Sequence, residues 1–488
     1  MSLVFTSDVF QQLSSEMDQK REEWGVPGCA IGIVSGEKVI FSKGLGTSRL
    51  GEDTAVTVET LFPIASATKS FTAMCLALLV EDGKLEWDTP ICEYWPEFQL
   101  YDPLATARIT TRDLLCHRSG LPRHDLVWYN TSLTREQLMK RLSYLEPTVD
   151  FRYSYQYQNL MYTAAGHLVE RLSGTSWEAF VKERMLNPLQ MNHTHFSVLA
   201  AQQTGSVAKP YMMKAGCAVE MPYLNNEAIG PAGSMISSLE DMTKWLSYHI
   251  QGVLPDGQPL VAPHLLKEMY TPQIVSTPQT PYPEIPFVCS AMGWFVQSYR
   301  GHKMIFHAGN IQGFSSLVSF LPDLGLGIVV LSQVDQSRLP AAITYDVYDR
   351  LLGLAPSDWY GRLKKEALLE TEQMEKQVQC LKESIRITHL DSTPLTSYAG
   401  EYHHPGYGSI TIANLGSSLQ MFYNGLCFQL DQTGERTFLG VYDGTYSLYL
   451  PLTFQLDQDN HIIHLSAKLE PAAKANEIVF TRLKHSFY

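Results

Sequence analysis

The sequence predicts an α+β fold: an antiparallel sheet flanked by helices, interrupted by an all-helical insertion, and followed by a small all-β barrel. Three observations carry this expectation. A helix-like segment over residues 8–24 runs into two short strands, 29–34 and 38–42, joined at Ser35-Gly36-Glu37, which is a hairpin signature. Strand patterns return only over residues 292–332, after a long stretch of helix and loop patterns. From about residue 395 the texture changes to short alternating strands separated by Gly, Asn and Asp turns.

Composition excludes several classes of protein. With 488 residues, 45% of them hydrophobic and 18% charged, the chain has material for a large core and more than one domain. A net charge of −13 argues against nucleic-acid binding, which needs a basic face. The eight cysteines lack pairing or metal-ligand spacing, and Cys29, Cys75 and Cys116 lie in apolar runs, so reduced thiols are expected. The first twenty residues lack the basic and apolar regions of a signal peptide, and no run has the length of a membrane span. A cytoplasmic protein is expected, although Met1-Ser2-Leu3 could stand in place of a removed leader.

Taken in order, the first helix has Val9, Leu13, Met17 and Trp24 on its apolar side and stops at Gly25-Val26-Pro27-Gly28. Residues 62–84 form an apolar, helix-favouring run opened at Ser66 and closed by Asp82-Gly83. Further helices are expected ending at Ser119-Gly120, over 160–173 before Gly174, and over 237–249. Strands follow at 292–296, 303–307, 315–320 and 327–332, then a helix over 339–352. The division is a catalytic domain over 1–355, a helical linker over 356–392 and a β-domain over 393–488. The linker helix, charged and with apolar Trp359, Leu363, Leu368, Met374, Val378 and Leu381, is expected to run to Arg386, before Asp391-Ser392-Thr393-Pro394. In the β-domain SITIA, LQMFY, CFQL, TFLGV, YSLYL, LTFQL, IIHLS and EIVFT are eight candidate strands.

Three short motifs carry chemistry. Ser66 and Lys69 lie one helical turn apart on one face, so an ammonium sits beside a hydroxyl near a helix N-terminus, where it stabilises an alkoxide or an anionic base. Tyr157 and Asn159 form a Tyr-x-Asn pair. A phenol whose pKa is lowered by a neighbouring ammonium can take a proton from a serine, and an amide can hold a substrate carbonyl. Tyr153 and Tyr155 are rivals, and the Asn159 spacing favours Tyr157. His307, Ala308, Gly309 and Asn310 end a strand. There the glycine allows close backbone approach, and the Asn310 N–H can pair with that of Ser66 as an oxyanion hole.

In this order, Ser-x-x-Lys, Tyr-x-Asn and His-x-Gly resemble the serine β-lactamase and penicillin-binding-protein superfamily, in its class C-like branch. LLCHRSGLP, YQNLMYTAAGHLVERLSG, LNPLQMNHTHF, GPAGSMISSLEDMTKWL and LPDLGLGIVVLSQ look like the framework of that family, over residues 8–352. The tail resembles the lipocalin-like domain of some members. The resemblance implies a β-lactamase/transpeptidase-like fold with Ser66 as acyl-accepting nucleophile, Lys69 as the positive neighbour tuning it, and Tyr157 as general base and then acid. It makes Asn159, His307, Ala308 and Gly309 substrate-binding, and the N–H groups of Ser66 and Asn310 the oxyanion hole. The companion motifs Ser-Asp-Asn and Lys-Thr-Gly are absent. Class C β-lactamases carry Lys where this chain has His307. A histidine neutral at pH 7 weakens the preference for a substrate carboxylate.

These expectations describe a serine hydrolase acting through an acyl-enzyme on D-amino-acid-containing peptides or amides, with small esters second and β-lactams third. Acyl transfer to an amine or alcohol and a non-catalytic scaffold are the alternatives. No metal or cofactor is expected, and His403-His404 reads as a surface turn. The expected partner is a small molecule or short peptide, with a homo-oligomer left open. The β-domain is expected to limit access to the cleft or to mediate assembly.

Overall fold

A computed structural model describes residues 7–384, 393–444 and 447–483. The expected end of the linker helix at Arg386 and the turn at Asp391-Ser392 lie outside the described residues. The first helix is α1 (Ser7–Glu23), and the hairpin is β1 (Gly28–Ser35) and β2 (Lys38–Gly46). Helices α2 (Thr68–Glu81), α3 (Asn159–Ser173) and α4 (Leu239–Gln251) follow. Then come β3 (Ile274–Thr277), β4 (Val288–Ser290), β5 (Phe295–Tyr299), β6 (His302–Ile311), β7 (Phe314–Leu321) and β8 (Leu326–Gln333). Helices α5 (Leu339–Leu351) and α6 (Trp359–Ser384) lead to the barrel.

The eight strands form one antiparallel sheet in the order β2-β1-β8-β7-β6-β5-β4-β3, so early and late segments do combine. Strand β1 is apolar and buried from Gly28 to Val34, because helices cover both of its faces. Ile31 and Ile33 face Leu13 and Met17 of α1 and the apolar side of α5, while Ala30 and Val34 face the cluster containing α2 and α4. Gly32 lets α4 lie against the sheet: a Cβ there would stand 2.7 Å from Thr243 Cγ2. The insertion differs from the all-helical expectation. It supplies β3 and β4 at the sheet edge and a hairpin of Tyr211–Lys214 with Cys217–Glu220. These strands are three or four residues long in Pro- and Thr-rich surroundings, too short for a periodic signal. Trp359 and Leu363, in the first turns of α6, are buried with α5, so the linker helix begins within the apolar cluster beneath α1 and α5.

The C-terminal strands β9 (Gly400–His404), β10 (Gly408–Asn414), β11 (Leu419–Tyr423), β12 (Leu426–Gly434), β13 (Thr437–Asp443), β14 (Ser447–Leu456), β15 (Ile462–Ala467) and β16 (Ile478–Arg482) close an up-and-down barrel through β9 and β16. The count of eight arises differently from the sequence expectation. GEYHH is a strand, and the SLYL of YSLYL joins LTFQL in one strand running through Pro451, which stands opposite Leu439; Tyr446 lies outside the described residues. His404 Nδ1 accepts from the N–H groups of Gly406 and Tyr407, so this histidine closes a turn. Inward-facing Tyr402, Ile410, Met421, Phe428 and Phe454 fill the barrel, and one buried apolar cluster runs from α2 through the helical region into it. Among the described residues no helix is long and apolar enough to cross a membrane.

Candidate active site

The chain bends sharply just before Ser66. Ala65 is left-handed, with φ of +49°, a conformation held by bonds on its neighbour: Ile64 N–H donates to Met235 O at 2.9 Å, and Ser316 Oγ donates to Ile64 O at 3.0 Å. Ser66 thus lies in a tight turn (Ala65–Ala67), and the α-helix proper starts at Thr68. Lys69, one turn on, is fully buried. Its Nζ contacts three oxygens: Ala232 O at 2.7 Å, Asn159 Oδ1 at 2.8 Å and Ser66 Oγ at 3.2 Å. The Tyr157 hydroxyl donates to Ser66 Oγ at 2.7 Å. Serine, lysine, tyrosine and asparagine therefore form one hydrogen-bonded chain across α2, the loop before α3 and the first residue of α3.

Tyr157 is separated from its rivals by contact. Tyr155 packs edge-on against His117 and Phe295, and Tyr153 is 76% exposed. The loop carrying Tyr157 is anchored by Asp113, which is wholly buried and accepts from both Arg118 and Arg152.

Burial acts on both ionisable groups of this chain of hydrogen bonds. Burial pushes Tyr157 up to about 12, despite the opposing effects of Ser66 and Arg123. Burial, assisted by the positive charge of Arg123, holds Lys69 well below an ordinary lysine. Lys69 Nζ donates to the Ala232 and Asn159 oxygens and to Ser66 Oγ; in the neutral form that burial favours, two N–H groups would serve the first two and the lone pair would be left for the Ser66 hydroxyl.

Strand β6 packs on the Ser66 turn. Its pairing with β5 ends at Phe306, whereas its pairing with β7 continues to Ile311, so residues 307–311 are paired on one side only among the described residues. Gly309 lies against Ile64, and Ala308 is exposed. Asn310 is exposed, with its side-chain oxygen accepting from Ser315 Oγ at 2.7 Å. His307 is only 2% exposed, its Nδ1 is 2.7 Å from Ala308 O, and it packs edge-on to Phe295. Burial, with Lys69 adding to it, holds His307 down at about 3. His307 is placed beside the chain of four without a hydrogen bond to it.

The structure adds residues that motif reading missed. His117 stacks on Tyr157 at 4.4 Å and accepts from the Gln158 N–H through Nδ1, and burial keeps it neutral. The Arg123 guanidinium lies 5.0 Å above the same ring. Asp125 pairs with Arg123 and accepts from Asn159 Nδ2 at 3.3 Å. His117 and Ala232 stand inside framework blocks visible in the sequence, but their contacts depend on how those blocks fold together.

A family model described as Beta-lactamase matches residues 13–349, and one described as Domain of unknown function (DUF3471) matches residues 387–482. The chain belongs to the Beta-lactamase family. An unguisins hydrolase, ungD', of Aspergillus campestris is 28% identical over 429 residues, covering 82% of this chain and 77% of its own. In fold, the chain is similar to the octameric penicillin-binding protein homologue from Pyrococcus abyssi (TM-score 0.62, 21% identity, 96% of this chain and 99% of that one). It is similar also to D-amino acid amidase from Ochrobactrum anthropi SV3 (TM-score 0.58, 24% identity, 70% of this chain and 98% of that one).

Proposed function

We propose that the chain is a serine hydrolase that works through an acyl-enzyme on amide or ester bonds, with D-amino-acid-containing peptides or amides as the first substrate class. The observation that carries this reading is the hydrogen-bonded chain Tyr157–Ser66–Lys69–Asn159, in which every proton has a place. Neutral Lys69 takes the Ser66 proton as Oγ attacks the carbonyl, and the N–H groups of Ser66 and Asn310 receive the developing oxyanion. Tyr157, held protonated, donates to the departing nitrogen or oxygen, and water releases the acyl group by the reverse proton path. This exchanges the roles that the resemblance gave to Lys69 and Tyr157, for the physical reason that burial favours both groups neutral.

The substrate class draws support from the similarity to a protein named as an unguisins hydrolase and to the fold of a D-amino acid amidase. Neutral His307 supplies no cation for a substrate carboxylate, which favours uncharged amides and esters over β-lactams. Self-association completes the proposal. Leu368, Leu369 and Met374 are exposed along α6, and the similar Pyrococcus abyssi protein is octameric, so light scattering of the full chain is expected to show an oligomer.

The deciding experiment is intact mass spectrometry after incubation with a fluorophosphonate and, separately, a reactive penicillin. A single adduct on the wild type and none on Ser66→Ala is expected, with the fluorophosphonate reacting faster. Absence of both adducts would overturn the reading and favour a non-catalytic scaffold.

A further inference from the structure

His124 is where the barrel reaches the candidate active site. It is buried between Arg123 and Asp125 and adopts φ of +48°, a left-handed conformation that costs a non-glycine residue roughly 1 kcal/mol unless its surroundings hold it. Here they do. The His124 N–H donates to Glu470 Oε2 at 2.5 Å, its Nε2 faces the Glu146 carbonyl at 3.1 Å, and its Nδ1 is 2.7 Å from the Tyr407 hydroxyl. With the proton on Nε2, Nδ1 accepts from Tyr407, and both ring nitrogens are satisfied. The following residues are held from the same side. Tyr423 OH and Asn424 Nδ2 both donate to Leu126 O, at 2.9 and 2.7 Å, and Asn130 Nδ2 donates to Asn424 O at 2.8 Å.

Glu470, Tyr407, Tyr423 and Asn424 all belong to the C-terminal domain. Glu470 is 1% exposed, and its second oxygen accepts from Ala472 N–H at 3.0 Å, so both carboxylate oxygens are committed to backbone donors. On its other face the segment presents Arg123 to the Tyr157 ring and Asp125 to Asn159. A buried carboxylate of one domain thus acts one residue away from two side chains that touch the candidate catalytic groups of the other.

The geometry points to Glu470 and Tyr407 as positioning residues for the active site, acting through His124 to hold Arg123 on Tyr157 and Asp125 on Asn159. The barrel is then part of the catalytic apparatus. This inference rests on the serine-hydrolase reading. Its chemical content lies in Arg123, whose charge lowers both Lys69 and Tyr157. The groups around Lys69 are Tyr157 and Tyr162, neutral His117 and His307, and the Arg123–Asp125 pair. Displacing Arg123 therefore raises the pKa of Lys69 and moves the acid limb of Ser66 acylation to higher pH.

The test compares full-length wild type with Glu470→Gln, Tyr407→Phe, Arg123→Met and Arg123→Lys, measuring the rate of fluorophosphonate labelling of Ser66 against pH. Glutamine keeps the shape of Glu470 but can accept from only one of the two backbone donors, and Tyr407→Phe keeps the packed ring. Both barrel variants are expected to label roughly tenfold more slowly near neutral pH, with the acid limb displaced upward as in Arg123→Met. Arg123→Lys is expected to restore the limb. Barrel variants that label with wild-type rate and limb, while Arg123→Met is shifted, would overturn the inference and leave the hydrolase reading intact. An unlabelled wild type would remove both. Should Glu470→Gln fail to fold, Tyr407→Phe decides alone.

Discussion

Gly309 on β6 faces the carbonyl of Ile64 so closely that a Cβ at this position would stand 2.2 Å from the Ile64 oxygen and 2.4 Å from Ser316 Oγ. This contact sets the distance between the strand edge and the turn bearing Ser66. Gly309→Ala must push β6 away from that turn, at a cost of about 1–3 kcal/mol in stability. Acylation is expected to suffer more than stability, with labelling of Ser66 falling at least tenfold while thermal unfolding remains cooperative.

The protonation pattern makes a prediction about pH. If neutral Lys69 is the base, acylation rises with pH as Lys69 loses its proton and then stays level. No alkaline limb from Tyr157 appears until the pH nears about 12. If the phenolate of Tyr157 were the base, the rate would continue to climb towards that value. A kcat/KM profile with an uncharged ester substrate distinguishes the two outcomes.

His307, held at about 3 by burial, stays neutral across ordinary assay conditions. The ratio of kcat/KM for a substrate carrying a free carboxylate to that for its methyl ester is therefore expected to be flat between about pH 5 and 8. A ratio that increases as the pH falls through about 6.5 would show that His307 titrates as a solvated histidine.

Asp113 offers a test of stability. Burial opposes its ionised form, yet the hydrogen bonds and charges of Arg152 and Arg118 hold its carboxyl below the usual range. Its stabilising contribution is present above the pKa of an unfolded aspartate and is lost as the pH falls through the lower native value. Asp113→Ala leaves two arginines without their shared carboxylate and is expected to cost about 3–5 kcal/mol, read from chemical denaturation, and to slow acylation by loosening the Tyr157 loop.

The order of the motifs was legible because each is local. Ser66 and Lys69 are one turn apart, and Asn159 two residues after Tyr157 separates that tyrosine from Tyr153 and Tyr155. The burial of Lys69, and the downward shift it brings, was not legible, since it depends on enclosure by Ala232, Asn159 and Tyr157, which come from other parts of the chain. Arg123 and Asp125 were missed for the same reason, as nothing in their spacing relates them to Tyr157 or Asn159. In the barrel, the alternating texture found strand segments but not the strand limits. GEYHH has a weak alternation, and Pro451 suggests a break where β14 continues.

The apolar cluster that extends from α2 into the barrel also bears on how such proteins can be recombined. A domain boundary drawn at the linker would transplant the barrel without the 124–130 loop that it grips. A chimera made that way is expected to expose Leu145 beneath Gly406 and to leave the backbone N–H of His124 without its acceptor. The barrel packs on the 124–130 loop and also on Arg141, Tyr144 and Leu145, so exchanging the tail alone is expected to lower stability unless those residues are changed with it.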